Sequence, residues 1–452
     1  LLSLAGFMGA VFCLTLAAFS LFAYPWTVKP FLISMLILAA MTSYYVDTLG
    51  IIVDRDMIQN VMVTTVAESR HLITPGYITH IIVFGVLPAL IVMWVPIRPQ
   101  TRIRAAVTPI VTFVVSLALA AGLLMSDLKS YASILRERKD FMSSYQPGAP
   151  LVGAIRYAKM MSRSANLVLT STGTDARGGS AYDAPQKPML TVVVAGETAR
   201  AQNFSLNGYG VDTNPELSKL PIINFSNIQS CGTATAVSLP CMFSKYSRAD
   251  YSFEKGTSTE NVLDVFGHAG LQVEWWDNNT GDKAIAARFK TRRFNDLTDP
   301  EFCATGECID GIFLEPLKDY IASIKQDTVL VLHQIGSHGP TYYQRYPAAF
   351  ERFTPACRTA EFKKCTPQEI TNAYDNTIAY TDQILAQTIK MLAANEALAT
   401  SLLYVSDHGE SLGERGLYLH GAPYFMAPDT QTHVPMLLWM SDAFRTRFGI
   451  DE

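Results

Sequence analysis

Along the first 126 residues charged positions almost vanish: residues 1–28, 30–46, 72–97 and 105–126 contain no Asp, Glu, Lys or Arg. About 20 apolar residues carry a helix across a bilayer, so the pattern predicts four transmembrane helices. Buried core helices are the alternative, but four such runs in so short a stretch leave too little polar surface for a water-soluble domain. The loops set the orientation. Lys29 lies between the first two runs and Arg98, Arg102 and Arg104 between the last two, which places both loops in the cytoplasm by the positive-inside rule. The loop of residues 47–71 holds four acids against two arginines and is expected outside, as is everything after Ser126. Its "DTLGIIVDRDMIQNVMVTTVAESR" alternates in polarity like an interfacial helix and is expected to shape a lipid site. The chain begins at Leu1, already inside a membrane run, so it is expected to lack its true start, and no cleavable signal pattern is visible.

Beyond Ser126 the period changes. Residues 127–187 read as a bridge, with a helical patch at "LVGAIRYAKMM" and a linker at "TSTGTDARGGSAYDAPQK". From Pro188 to residue 452, short apolar runs ("MLTVVVA", "TVLVLH", "SLLYVS", "PMLLWM") alternate with amphipathic stretches such as "ITNAYDNTIAYTDQILAQTIKML". Such runs predict a largely parallel sheet covered on both faces, an α/β domain.

In open α/β sheets sites form beyond the carboxyl ends of strands. Polar clusters stand there: "GETAR" after "TVVVA", "HQIGSHGP" after "TVLVL" and "SDHGE" after "SLLYV", supplying Glu197, His333, His338, Asp407 and His408. "SCGTATAVSLPC" adds hydroxyls beside a predicted helix start, and "LYLHG" adds His420. Glu, Asp and His on one rim form a zinc-type ligand set. A metal on Glu197, Asp407 and His408 would leave a position for a hydroxyl that must become a nucleophile, because Ser and Thr are weak ones unless activated. Thr233 and Thr235 are both candidates, at a helix start that favours an incoming phosphate. His338 and His420 are candidates for a second metal, for phosphate oxygens or for protonating a leaving group. His333 reads as a structural residue at a strand end.

Composition narrows the classes. A net charge of -4 over 452 residues argues against nucleic-acid binding. Six of the seven cysteines fall in close pairs beyond Ser126: Cys231 with Cys241, Cys303 with Cys308, and Cys357 with Cys365. No paired C-x2-C knuckles occur, so adjacent disulfides in an oxidising compartment are expected.

Taken together, "VVAGETARAQNFSLNGYG", "FSNIQSCGTATAVSLPCMFS", "WWDNNTGDK", "LHQIGSHGPTYYQRYP", "NAYDNTIAYTD" and "YVSDHGESLGERGLYLHG" resemble the phosphoethanolamine transferases that modify lipid A, including the mobile colistin-resistance enzymes. The resemblance implies a multi-helix transmembrane domain followed by an alkaline phosphatase or sulfatase-like catalytic domain. It implies a bacterial inner-membrane protein acting in the periplasm, with a tightly held Zn2+ and room for a second. Glu197, Thr235, Asp407 and His408 match the family's zinc positions, and Thr235 its nucleophile. His338 and His420 match second-zinc or substrate positions, and Asn279 and Lys283 substrate-contacting ones. Phosphatidylethanolamine is the implied donor and lipid A the acceptor, with polymyxin resistance as the outcome and a monomer as the working unit. Relatives with a core-sugar acceptor or a phosphoglycerol donor are the neighbouring reading, and a membrane sensor with an inactive hydrolase domain the distant one. Family members usually have a further membrane helix before these four and a longer end to the catalytic domain.

Overall fold

The computed structural model describes residues 2–137, 145–182 and 186–450. The chain divides into two units: residues 1–48, 52–54 and 75–153, and residues 49–51, 55–74 and 154–452.

The first unit is helical. Helices α1 (Leu2–Ser20) and α2 (Val28–Leu49) precede two short helices of the second unit, α3 (Arg55–Val63) and α4 (Val66–Leu72). Next come α5 (Pro75–Ile81), which passes through a five-residue π turn into α6 (Leu87–Trp94), then α7 (Arg102–Ser126), α8 (Leu128–Glu137) and α9 (Gly148–Ser164), whose residues from 154 on belong to the second unit. Among the described residues four stretches are long and apolar enough to cross a membrane: Ser3–Ser20, Val28–Leu49, Pro75–Trp94 and Arg102–Ser126. They coincide with the four charge-free runs. The Thr101 hydroxyl accepts from Arg104 N and caps α7 where the basic loop ends. The helix read from "LVGAIRYAKMM" is α9.

The stretch expected to be one interfacial helix is broken into α3 and α4. Met57 and Gln59 of α3 are buried, and the Gln59 amide reaches the Ala236 carbonyl. These contacts hold it within the second unit.

That unit is built on a sheet of strands β1 (Met189–Gly196), β2 (Ile223–Gln229), β3 (Gln272–Asp277), β4 (Lys290–Arg293), β5 (Thr328–His333), β6 (Ala399–Ser406) and β9 (His433–Met440); β7 (Ser411–Leu412) and β8 (Tyr418–Leu419) form a separate hairpin. The order is β2-β9-β6-β1-β5-β3-β4. Strands β4, β3, β5, β1 and β6 run parallel. The apolar run "PMLLWM", which the sequence pattern groups with the parallel strands, instead lies in β9 antiparallel to β6 and β2. Apolar periodicity reports burial, and it is silent on strand direction.

Alternating side chains fill the two faces. Ala195, Val273, Trp275, Val329 and Val331 pack with Leu239, Phe243 and Leu263. Helix α10 (Thr235–Phe243) contributes to that face, and α11 (Pro367–Ala393) buries 18 of its 27 residues. A capping box starts α11: the Thr366 hydroxyl accepts from Glu369 N, and the Glu369 carboxylate accepts from Thr366 N.

Register decides where the site forms. Ala195 lies beside His333 on one side and Val405 on the other, and His333 beside Asp277. Strands β1, β3, β5 and β6 therefore end at one level, and the residues that follow them share one rim.

Candidate active site

Glu197 leaves β1, and Asp407 and His408 leave β6 one strand away. One ligand atom from each lies within 4.8 Å of the others, and all three residues are buried. Their backbone is pinned locally. Thr198 N donates to Asp407 Oδ1 from a left-handed conformation (φ 60°), which costs energy in a β-branched residue. Gly409 allows the turn after His408, since a Cβ there would stand 2.1 Å from the Thr430 carbonyl oxygen. Gly336 sits at φ +50° beneath Glu197, where a Cβ would meet its carbonyl oxygen at 2.6 Å.

The threonines separate cleanly. Thr235 is the first residue of α10, and its Oγ1 donates to Glu197 Oε2 at 3.0 Å and lies 3.3 Å from His408 Nε2. Thr233 Oγ1 instead donates to the Ala422 carbonyl at 2.6 Å. The Cys231–Cys241 disulfide spans this helix start, and Ser238 ties the Gly232 amide to the Asp407 carbonyl. An α-helix N-terminus with its amide groups exposed favours an anion. Cys303–Cys308 and Cys357–Cys365 complete the adjacent pairing.

The other candidates surround this cluster. Asn279 donates to Glu197 Oε2 and to the Gln334 carbonyl, each at 2.8 Å. Lys283 stands at φ 48° with its Nζ on the Thr280 carbonyl. With Ala236, Pro240 and Gln59 it lines a cavity of ≈ 290 Å³. The His420 ring lies 4.4 Å from the His408 ring and 5.5 Å from that of His338. His333 is wholly buried, and its Nδ1 pairs with Asp277 Oδ2 at 2.9 Å.

Electrostatics follow from burial. Desolvation raises the Asp407 carboxyl to about 6, and the neighbouring Glu197 charge pushes the same way. Burial also works against Glu197, but His408, His338 and His420 outweigh it and hold that carboxyl below its ordinary range. His408 turns Nδ1 to the Gly409 carbonyl, which leaves Nε2 for the cluster. Asp407 Oδ2, though buried, accepts no hydrogen bond among the described residues. Buried oxygen and imidazole donors with two carboxyl charges fit a divalent cation, whose charge would offset the cost of burying both acids.

Sequence reading passed over three groups. Burial raises Glu410 to about 8; it accepts from the Tyr342 hydroxyl at 2.5 Å and shares a hydrogen bond of 2.9 Å with His420 Nδ1. Asp277 orients His333. Arg345, whose side chain is 1% exposed, bonds to the backbone at His338. Each stood inside a motif already singled out, Glu410 in "SDHGE", Asp277 in "WWDNNTGDK" and Arg345 in "LHQIGSHGPTYYQRYP".

Residues 190–451 match the sulfatase family, and residues 11–161 match the family described as phosphoethanolamine transferase EptA/EptB. The chain is 42% identical to phosphoethanolamine transferase EptA of Escherichia coli K12, over 96% of this chain and 79% of that protein. It is 40% identical to phosphatidylethanolamine transferase Mcr-1 of Escherichia coli, over 92% and 79% respectively. The solved integral membrane lipooligosaccharide phosphoethanolamine transferase A of Neisseria meningitidis matches with a TM-score of 0.94 at 40% identity, covering 98% of this chain and 82% of that one.

Proposed function

The chain belongs to the phosphoethanolamine transferases of the EptA and Mcr type, and from that premise we propose that it moves phosphoethanolamine from phosphatidylethanolamine to a phosphate of lipid A through a covalent intermediate on Thr235. The carrying observation is the position of Thr235 Oγ1, within 3.0 Å of Glu197 and 3.3 Å of His408, at a helix N-terminus.

Glu197, Thr235, Asp407 and His408 would hold zinc, which when bound supplies Lewis-acid polarisation of hydroxyl and phosphoryl oxygens. In the first step Thr235 Oγ1 attacks the donor phosphorus as its proton passes toward the Glu197 carboxylate. The bond from phosphorus to the glycerol oxygen breaks, and diacylglycerol leaves with a proton. The amide groups at the start of α10 face the phosphoryl charge. In the second step a lipid A phosphate oxygen attacks the same phosphorus, the bond from phosphorus to Thr235 Oγ1 breaks, and Oγ1 takes up the proton that the attacking phosphate hydroxyl gives up. His338 and His420 are the groups for phosphoryl oxygens and leaving-group protons, and Glu410 fixes the His420 ring orientation through its hydrogen bond with Nδ1. Asn279 steadies Glu197 through its side-chain hydrogen bond, and Lys283 is the cation assigned to the donor phosphate. The added ammonium offsets one lipid A phosphate charge, which lowers polymyxin affinity. An inner-membrane enzyme with this unit in the periplasm meets both lipids, and its three disulfides suit that compartment.

Peptide mass mapping after incubation with phosphatidylethanolamine tests the intermediate. Thr235→Ala is expected to lose both the adduct and lipid modification, while Thr233→Ala loses one hydrogen bond and stays within roughly fivefold of the native rate. An adduct on Thr233 would overturn the assignment.

A further inference from the structure

Glu307 lies outside the ligand cluster, inside the short loop closed by the Cys303–Cys308 disulfide. Its Oε2 accepts from Arg345 Nη1 at 2.9 Å and stands 3.1 Å from His71 Nε2. Arg345 is buried, and its Nε donates to the His338 carbonyl at 2.8 Å. Three segments distant in sequence thus meet on one carboxylate: the end of α4, the disulfide loop and the stretch that carries His338.

We propose that Glu307 is a positioning residue for phosphoethanolamine transfer, fixing through Arg345 the backbone from which His338 enters the active site and tying that backbone to α4. The inference rests on the reading of His338 as a group that handles the phosphoryl centre.

Stability alone is a poor reason for the arrangement. A buried ion pair roughly breaks even against desolvation, and the Glu307 and Arg345 side chains are only 10% and 1% exposed. What the pair provides is direction. A planar guanidinium presents donors at fixed angles, so holding Nη1 on Glu307 aims Nε at one carbonyl, and that carbonyl belongs to His338. The loop bearing Glu307 is in turn held by the disulfide that closes around it. The same stretch carries Tyr342, which bonds Glu410 and thereby reaches His420. Glu307 itself reaches this stretch only through Arg345 and the His338 carbonyl. A displacement of about 1 Å at a reacting group costs on the order of a hundredfold in rate, so a modest shift of this stretch is enough to matter. His71 extends the network to the chain between the second and third apolar spans.

The test uses the full chain in mixed micelles of phosphatidylethanolamine and lipid A, with a labelled donor. Glu307→Gln is expected to lower kcat at least tenfold with donor KM changed less than threefold and bound metal native, while the melting temperature falls because Arg345 keeps a buried charge without its partner. Arg345→Lys, which keeps the charge without the fork, is expected to behave alike, and His71→Ala to lower kcat three- to tenfold. On a His338→Gln background, adding Glu307→Gln is expected to change kcat less than twofold, because the two act through one ring; independent, multiplying losses would overturn the proposal. Native kcat in Glu307→Gln beside a crippled His338→Gln overturns this inference alone. Native kcat in His338→Gln overturns the reading of His338 and the inference with it. Should Glu307→Gln fail to fold, His71→Ala decides, and an unchanged kcat there sinks the proposal.

Discussion

The two units obey one burial rule in two solvents. In the membrane-spanning unit large apolar side chains face outward: Phe12 is 66% exposed, Met125 77% and Trp94 85%. In hydrocarbon that surface is matched, and the burden falls on the backbone, whose polar groups are satisfied within helices. The catalytic unit inverts the arrangement. Glu197, Asp310, Asp407 and Glu410 are all within 4% of full burial, and each has dedicated partners; Asp310 accepts from Asn278 Nδ2, Ile335 N and Gly336 N, all at 2.9 Å. Exposure alone therefore does not mark a fault in either unit. What counts is whether each group finds in its own surroundings what it loses from water.

Substitutions that read the same on paper should break this symmetry. The largest effect is expected from Trp275→Ala. Trp275 is fully buried against Phe243, and the cavity left should cost about 3–5 kcal/mol, measured by denaturant unfolding of the catalytic unit's near-UV signal. Next comes Val114→Asp, in the middle of α7 and 57% exposed. A carboxylate at a helix centre in lipid costs about 2.5–3.5 kcal/mol, so a glycosylation-reporter insertion assay should show reduced insertion of that segment, with Val114→Leu neutral. If Val114→Asp inserts like the native helix, that face does not meet lipid. The smallest effect is expected at Leu297, 44% exposed on the catalytic unit. Leu297→Asp should stay within about 0.5 kcal/mol of native stability by thermal unfolding, since water receives the charge. A loss comparable to that of Trp275→Ala would mean that the side chain is covered in solution.

The pattern of positions carried most of the architecture. Four charge-free runs sufficed for the spans because length and lack of charge are the whole requirement for crossing a bilayer. Strand ends were readable because buried parallel strands are continuous apolar runs, and the polar clusters after them marked a rim. Adjacent cysteine pairs needed only chain proximity, and they are bonded as expected.

Other properties depend on contacts between segments far apart in the chain. The direction of β9 comes from the crossover that delivers it beside β6, whereas its apolar content records only burial. Residues 55–72 form two helices rather than one, and in the first Met57 and Gln59 are buried, with the Gln59 amide on the Ala236 carbonyl. The choice between Thr233 and Thr235, two residues apart in "CGTATA", turns on which hydroxyl the start of α10 aims at Glu197 and which it leaves to the Ala422 carbonyl. Glu307 had no local signature, and Arg345, though inside "LHQIGSHGPTYYQRYP", had none that pointed to Glu307: their 38-residue separation closes only when β5 and the loops around it fold. Burial patterns are properties of a segment and its solvent, and so are written locally. A hydrogen bond between distant side chains belongs to the packed sheet, and it has no direction until the strands that carry those side chains share a register.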